Sequence, residues 1–225
     1  RQRGAGKTVE YTAQVRQELM DTQSIISNFI PALEAHEFIV FYQPKVSISQ
    51  QFICGAEAIV RWNRKGTLLP PIKFVPPLER EGSICQLDYY VLEEVCKFLS
   101  RRIREGKEPL CISVNFSRKH LEGEKMVERI VEMIDRYQID HQYIEIELTE
   151  SQDYQNYERI TGVVNELKNN GIGTSMDDFG TGFSSLNMIK QVDLKVIKID
   201  KSFIPLETNY PGKEKDIIMF RNIVS

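Results

Sequence analysis

The segment IGTSMDD, residues 172–178, indicates the fold, because it reads as a buried strand that ends in two adjacent aspartates. It stands within a regular alternation of strand patterns and helical patterns. The other strands of this alternation are LCISVNF (110–116), YIEIELT (143–149) and KVIKID (195–200). The helical patterns between them cover about 122–137, 154–169 and 183–190. Strands that alternate with helices in this way predict a parallel sheet built from βα units.

Before this alternation the pattern is different. A helical pattern over residues 13–35 is followed by FIVFYQPKVSI (38–48) and FICGAEAIVRW (52–62), which read as a hairpin-like pair of strands. The proline-rich stretch LLPPIKFVPPLE (68–79) leads into a helix over about 84–104. A last helical pattern begins at residue 214. The chain therefore predicts six strands, of which the first two form an antiparallel pair.

Polar side chains recur in these strands or at their carboxyl ends. They are Glu57, Asn115, Glu147, Glu150, Asp177, Asp178, Lys198 and Asp200. Each residue alone has an ordinary explanation as a turn residue or a solvent-facing side chain. In parallel sheets and barrels, however, the carboxyl ends of the strands meet at one rim, where the chemistry takes place. The recurrence at this end favours a functional site.

The residue types in this set point to a hard divalent cation. The three histidines, His36, His120 and His141, are dispersed along the chain, so carboxylate and amide oxygens are the available ligands. Such ligands suit Mg²⁺ or Mn²⁺, and two metal ions about 4 Å apart form the usual clamp for phosphodiester displacement. Adjacent Asp177 and Asp178 would let one carboxylate bridge two ions while the other binds one.

The remaining site residues fit the same chemistry. Glu57, Asn115 and Glu147 would complete the coordination, Lys198 would orient the attacking water, and Arg61 offers a bidentate fork for a phosphate. The glycines that follow the aspartates, in FGTG (179–182), would let the loop approach metal and substrate closely. The alternative interpretation of this loop is a simple flexible turn.

Composition limits the classes of protein that remain. The chain has 225 residues, 41% of them hydrophobic, a size that suits one α/β barrel domain. A net charge of −3 argues against a partner that is long nucleic acid. No apolar run reaches the length of a membrane span, and no signal-peptide pattern is present. The four cysteines lack CxxC spacing and indicate free, buried thiols in a reducing compartment.

Seven sequence blocks, in order, resemble one family. They are FYQP, AEAIVRW, PIKFVPPLEREG, SVNFS, ELTES, DDFGTGFSSL and KVIKIDKSF. AEAIVRW is similar to a Glu-Ala-Leu motif followed by x-Arg-Trp, with Ile59 in place of leucine. The stretch from Ile25 to Phe203 thus resembles the EAL-domain family of bacterial cyclic di-GMP phosphodiesterases.

This resemblance implies a modified TIM (β/α)8 barrel whose first two strands are antiparallel. It implies hydrolysis of cyclic di-GMP to linear pGpG with Mg²⁺ or Mn²⁺. By motif, Glu57, Asn115, Glu147, Asp177 and Asp178 would bind the metals, and Lys198 would contact the nucleophilic water. Glu150 would hold the loop after the aspartates, and Gln43, Arg61 and Asp200 would contact the nucleotide.

The resemblance also implies what lies before and after this stretch in the family. The family pattern continues beyond Ser225 with a Glu-Gly-Val-Glu block and a Gln-Gly motif, so we expect the last two βα units to be lacking here and little turnover by this chain alone. GAGKTVEY (4–11) is similar to the end of a GGDEF domain, or else is a disordered end. We therefore assign residues 1–24 to a linker or the end of a preceding domain and 25–225 to the EAL domain.

Three functions stay open at this point. The first is a phosphodiesterase, the second a cyclic di-GMP receptor that does not cleave, and the third a scaffold for dimerisation or regulation. The intact metal-ligand set favours the enzyme, since receptors of this family usually lose such ligands. We expect a homodimer in the cytoplasm or on the cytoplasmic face of a membrane, fused to a GGDEF or sensor domain.

Overall fold

The computed structural model describes residues 12–123, 125–149, 157–179, 194–199, 204 and 213–224. Its helices are α1 (Ala13–Glu34), α2 (Pro71–Glu81), α3 (Ile84–Arg104), α4 (Met126–Arg136), α5 (Tyr157–Asn169) and α6 (Lys213–Val224). Its strands are β1 (Phe38–Val46), β2 (Ile53–Arg64), β3 (Thr67–Leu69), β4 (Cys111–Phe116), β5 (Ile144–Thr149), β6 (Gly173–Phe179) and β7 (Val196–Ile199). The helix predicted at 183–190 lies outside the described residues.

Strands β1 and β2 form the antiparallel pair that the sequence predicts. Their register runs from Phe38 opposite Trp62 to Val46 opposite Ile53, with an irregularity between Lys45 and Val46. Side chains alternate between the two faces of a strand, so residues of β1 and β2 that lie opposite one another share a face. Gln43 lies opposite Glu57 in this register.

The following strands add in parallel, and the order of the sheet is β1-β2-β4-β5-β6-β7, with β3 paired to β2. Strand β4 is parallel to β2, and β5, β6 and β7 each continue in the same direction. Within the described residues, β1 and β7 are the two ends of this order. The result is a mixed α/β sheet with an antiparallel first pair, which forms part of a barrel and confirms the predicted fold class.

Aromatic side chains fix the start of this sheet against the helices. Trp62 and Phe74 are fully buried, and the Phe38 ring lies 4.9 Å from the Trp62 ring and 5.7 Å from the Phe74 ring. Burial of one such side chain stabilises the fold by about 1.5–3 kcal/mol. The indole Nε1 of Trp62 donates a hydrogen bond to Oε2 of Glu37 at 2.8 Å. These contacts hold the beginning of β1 and the end of β2 in place.

The proline-rich stretch forms helix α2, to which the sequence analysis assigned no element. Pro71 opens the helix, where a missing N–H costs nothing, but Pro76 and Pro77 lie inside it. Gly82 ends the helix at a φ of 94°, a conformation that suits glycine. Helix α2 packs against α1 and α3, so tertiary contacts outweigh the low helix propensity of proline.

Helix α3 shows how the helices cover the sheet. Leu87, Val91, Val95 and Leu99 recur every four residues and are all buried. The opposite face is polar, and three arginines in the last turn complement the negative end of the helix dipole. Among the described helices, none combines the length and apolarity needed to cross a membrane.

The cysteines are free, as expected, but they are not all buried. Cys96 is buried in α3, Cys85 and Cys111 are half-buried, and Cys54 is exposed on β2. The expectation of buried thiols is therefore wrong for Cys54. Its strand position lies near the amino end of β2, before the buried part of that strand begins.

Candidate active site

Side chains from several strand ends meet around Lys198 of β7. Its Nζ donates a hydrogen bond to Oε2 of Glu57 at 2.9 Å and also bonds to Oε1 of Glu147. Oδ1 of Asp177 lies 3.4 Å from the same nitrogen. The ammonium group is thus surrounded by carboxylates from β2, β5 and β6, as the rule about strand ends predicts.

Asn115 of β4 joins this cluster through Glu57. Its Nδ2 donates a hydrogen bond to Oε1 of Glu57 at 3.1 Å. Each oxygen of the Glu57 carboxylate therefore accepts one hydrogen bond, from Asn115 and from Lys198. Asn115 also lies opposite Glu147 in the register of β4 and β5. The side chains of Glu57, Asn115 and Glu147 therefore occupy one face of adjacent strands.

Burial governs the electrostatics of Glu147. Its side chain is fully buried, and this burial raises the pKa of the carboxyl to about 7, although Lys198 opposes the shift and Glu57 adds to it. Burial lowers the pKa of Lys198, but its hydrogen bonds to Glu147 and Glu57 outweigh that effect and raise it, so the ammonium stays charged. In the described structure, Oε2 of Glu147 is buried and accepts no hydrogen bond.

The oxygen atoms in this cluster are the ligands that a hard cation prefers. The cluster offers three carboxylates and one carboxamide, and Oε2 of Glu147 has no partner among the described residues. Such oxygen ligands suit Mg²⁺ or Mn²⁺ better than a softer metal. Even so, among the described residues no three His, Cys, Asp or Glu side chains are arranged to hold a metal ion. The Lys198 ammonium lies between the carboxylates instead.

The other predicted site residues divide into two groups. Gln43 is exposed on β1 opposite Glu57, and Arg61 is half-buried on β2, where its Nη1 donates to the backbone carbonyl of Val60 at 3.0 Å. Glu150 and Asp200 lie outside the described residues, as does the side chain of Asp178. None of the three histidines joins the carboxylate cluster; His120 and His141 each contact a different aspartate.

A cavity of about 300 Å³ adjoins Glu57 and Asn115. Its lining is mostly apolar and includes Ile59, the residue that replaces leucine in the motif. The polar residues in its wall are Glu79 and Asp88, from α2 and α3, together with Ser117 directly after β4. A cavity of this size beside the carboxylates could receive part of a small ligand.

A buried network in the wall of this cavity was not predicted from the sequence. Oδ2 of Asp88 accepts a hydrogen bond from the backbone N–H of Ser117 at 2.8 Å and lies 3.0 Å from Nε2 of His120. The hydroxyl of Ser117 donates to Oε1 of Glu79 at 2.9 Å. Burial raises the pKa of Asp88. The available signal was a single aspartate within the apolar stripe of α3.

Comparison with known proteins identifies the family. A family model described as "EAL domain" matches residues 27–225. The chain belongs to the EAL domain family. "Signaling protein YkoW" of Bacillus subtilis (strain 168) is 34% identical over 186 residues, which are 82% of this chain and 23% of that protein. "Bifunctional diguanylate cyclase/cyclic di-GMP phosphodiesterase MucR" of Pseudomonas aeruginosa is 32% identical over 174 residues, 77% of this chain and 25% of that protein.

A solved EAL-domain structure has the same fold. The structure titled "PaMucR Phosphodiesterase, c-di-GMP complex" superposes with a TM-score of 0.80 at 29% sequence identity. The match covers 89% of this chain and 81% of that chain. The chain spans a quarter or less of the full lengths of YkoW and MucR. The likeness is therefore to one domain of those proteins.

Proposed function

We propose that this EAL domain hydrolyses cyclic di-GMP to linear pGpG. The observation that carries the proposal is the cluster of Lys198 with Glu57, Glu147 and Asp177, since carboxylates can bind a cation and an ammonium beside them can orient a water. The names and titles of relatives agree with it, because MucR is named a cyclic di-GMP phosphodiesterase and the PaMucR structure is a c-di-GMP complex.

The metal ligands would be the oxygen donors of the cluster. We propose Glu57, Asn115, Glu147, Asp177 and Asp178 for Mg²⁺ or Mn²⁺, with Asp177 in the position shared between two ions. The buried oxygen of Glu147 that has no partner among the described residues supports this assignment, because a bound cation would satisfy it. Bound ions of this kind polarise the phosphodiester and lower the pKa of water.

The other site residues would bind the nucleotide and orient the attacking water. Lys198 would donate a hydrogen bond to the attacking water and so keep its lone pair directed at phosphorus. Arg61 would turn its guanidinium from the Val60 carbonyl to a phosphate oxygen, with Gln43 and Asp200 on the nucleotide. Glu150 would hold the loop that follows the paired aspartates. In the reaction a water oxygen bonds to phosphorus as one ester P–O bond breaks, the attacking water releases a proton, and the leaving oxygen takes one up.

A domain that binds cyclic di-GMP without cleaving it is the second candidate. The observation in its favour is that Lys198 pairs with Glu57 and Glu147 and so offsets part of their negative charge. The retained ligand set counts against it, since mere binding would not require five oxygen donors on neighbouring strands. A regulatory or dimerisation scaffold has no specific observation in its favour.

We also propose the domain arrangement that the sequence suggests. Residues 1–24 would link to a preceding GGDEF or sensor domain, and 25–225 would belong to the EAL domain. The protein would act as a homodimer in the cytoplasm or at the cytoplasmic face of a membrane. The name of MucR, a bifunctional cyclase and phosphodiesterase, supports such a fusion.

The deciding experiment is incubation of the intact protein with cyclic di-GMP and Mn²⁺, followed by chromatography of the products. We expect pGpG to form, and a chelator to stop its formation. Binding of cyclic di-GMP without product, in the presence of either metal, would instead establish the receptor. Absence of both binding and product would contradict both candidates.

A further inference from the structure

An ion pair crosses the interior of the sheet beneath the carboxylate cluster. Nζ of Lys45 on β1 donates a hydrogen bond to Oε1 of Glu145 on β5 at 2.9 Å. Strands β1 and β5 are not neighbours, since β2 and β4 lie between them in the sheet. The ion pair therefore joins β1 and β5, whose backbones do not pair, across the curvature of the sheet.

Small residues leave room for this crossing. Lys45 lies opposite Gly55 in the register of β1 and β2. The neighbours of Glu145 on β4 and β6 are Ser113 and Gly173. No bulky side chain from these positions stands between the ammonium and the carboxylate.

Glu145 depends on this lysine. Its side chain is 4% exposed, whereas that of Lys45 is 30% exposed and reaches the carboxylate from the solvent side. Within the described part of the chain, Lys45 is the hydrogen-bond partner of the Glu145 carboxylate. A buried carboxylate that loses its partner is strongly destabilised, so both members of the pair are constrained in position.

The pair lies one layer below the proposed site. Lys45 is two residues from Gln43 on β1, and Glu145 is two residues from Glu147 on β5, so each pair of positions shares a face of its strand. In the described residues, the backbone of β1 pairs with β2 alone. The ion pair thus joins the strand of Gln43 directly to the strand of Glu147.

We propose that Lys45 and Glu145 are positioning residues for the reaction. By holding β1 at a fixed distance from β5, they set the position of Gln43 relative to Glu147, whereas the pairing of β1 with β2 already fixes it relative to Glu57. The inference rests on the proposed function, in which Gln43 contacts the nucleotide while the carboxylates bind metal. Neither residue of the pair touches substrate or metal itself.

The test compares three variants of the intact protein. Lys45→Met combined with Glu145→Gln removes the link without leaving an unpaired buried charge, so this variant should fold. Lys45→Arg keeps both the charge and the reach. Lys97→Met is the matched control, because Lys97 forms a pair of the same length, 2.9 Å, with Glu94 on the exposed surface of α3.

Steady-state kinetics with cyclic di-GMP and Mn²⁺ give the first readout. We expect the double variant to raise KM by about 10- to 100-fold with a smaller effect on kcat. Displacement of a substrate-binding group by about 1 Å lowers the efficiency of an enzyme by this much. Lys45→Arg and Lys97→Met should stay close to the wild type. An unchanged KM in the double variant, together with a lower melting temperature, would mean a purely structural pair and would overturn the proposal.

Hydrogen exchange gives a second readout that does not require catalysis. We expect the double variant to exchange the amides of β1 faster, while those of α3 keep the wild-type rate. Unchanged exchange in β1 would overturn the proposed link, whatever the kinetics. If the wild-type protein forms no pGpG, the proposed function fails by itself, and the exchange of β1 still decides whether the pair holds the strand.

Discussion

Lys198 lies 2.9 Å from Oε2 of Glu57, a residue 141 positions earlier in the chain. Their strands, β7 and β2, are separated in the sheet by β4, β5 and β6. A flat sheet would keep such strands more than 10 Å apart, because neighbouring strands are about 4.8 Å from each other. The contact therefore shows that the sheet curves as a barrel does, and that this curvature assembles the site.

Replacement of Lys198 separates its proposed role in catalysis from a role in metal binding. We expect Lys198→Met to slow hydrolysis of cyclic di-GMP by at least about 10²-fold, the usual cost of losing the group that positions a reactant. Mn²⁺ binding, measured by calorimetry, should be largely retained, because the carboxylates lose a competing cation. Lys119→Met, which breaks an exposed pair with Glu122, is the control. Loss of Mn²⁺ binding would mean that Lys198 is structural.

Replacement of Asp177 tests the shared metal position. Asp177→Asn removes a negative charge from the proposed bridging ligand while keeping its size, so both metal sites should weaken. We expect pGpG formation to fall below detection and the affinity for Mn²⁺ to drop. Asp21→Asn, on the exposed surface of α1, should behave as the wild type. Normal turnover by the Asp177 variant would rule out this role.

The sequence predicted the centre of the site because its geometry follows from two simple rules. Alternation along each strand fixes the face that a side chain occupies, and parallel strands bring Asn115, Glu147 and Asp177 to the same rim. The contacts of Lys198 agree with both rules. The roles of all these residues stay predictions, and so does the placement of Glu150, Asp200 and the Asp178 side chain, since the described residues or side chains do not include them.

Other features depend on three-dimensional packing and were not predictable in this way. Pro76 and Pro77 normally argue against a helix, yet packing keeps them in α2. The bond from Asp88 to the N–H of Ser117 joins residues 29 positions apart, with no pattern to relate them. The link from Lys45 to Glu145 requires the curvature of the whole sheet, which local periodicity does not contain.

Gly55 tests how closely β2 must approach β4. A Cβ at this position would lie 2.6 Å from the backbone oxygen of Cys111, and a backbone atom cannot move away as a side chain can. We expect Gly55→Ala to lower the free energy of unfolding by about 1–3 kcal/mol, the usual cost of overpacking. Because these strands carry Glu57 and Asn115, activity should fall as well.

A second glycine provides the matched control for this substitution. Gly162 lies in α5, where an added Cβ would meet nothing within 4 Å. Gly162→Ala should therefore leave stability unchanged or raise it by about 0.5–1 kcal/mol, as expected for an exposed helical site. Urea denaturation measures both variants. Equal stability of the two variants would show that the strands can move apart at Gly55.

His141 should make stability depend on pH. Its Nε2 lies 2.8 Å from Oδ1 of Asp135, and its Nδ1 lies 2.6 Å from the carbonyl oxygen of Asn170. A neutral imidazole can donate to only one of these acceptors, whereas the protonated ring donates to both. Partial burial lowers the pKa of His141, but the hydrogen bonds to Asp135 and Asn170 outweigh it, so the pKa is raised.

A raised pKa in the folded state means that protonation stabilises the fold. The contribution is complete below the unfolded pKa of about 6.5 and disappears as the pH rises through the folded pKa. We expect wild type to exceed His141→Gln in the free energy of unfolding by about 1 kcal/mol or less at low pH, since Asp135 is exposed. Urea denaturation at a series of pH values from below about 6.5 upward should show that the difference in the free energy of unfolding shrinks as the pH increases. Asp135→Asn should weaken this pH dependence of stability. A difference that grew with pH would mean that the neutral ring is the form bound in the folded protein.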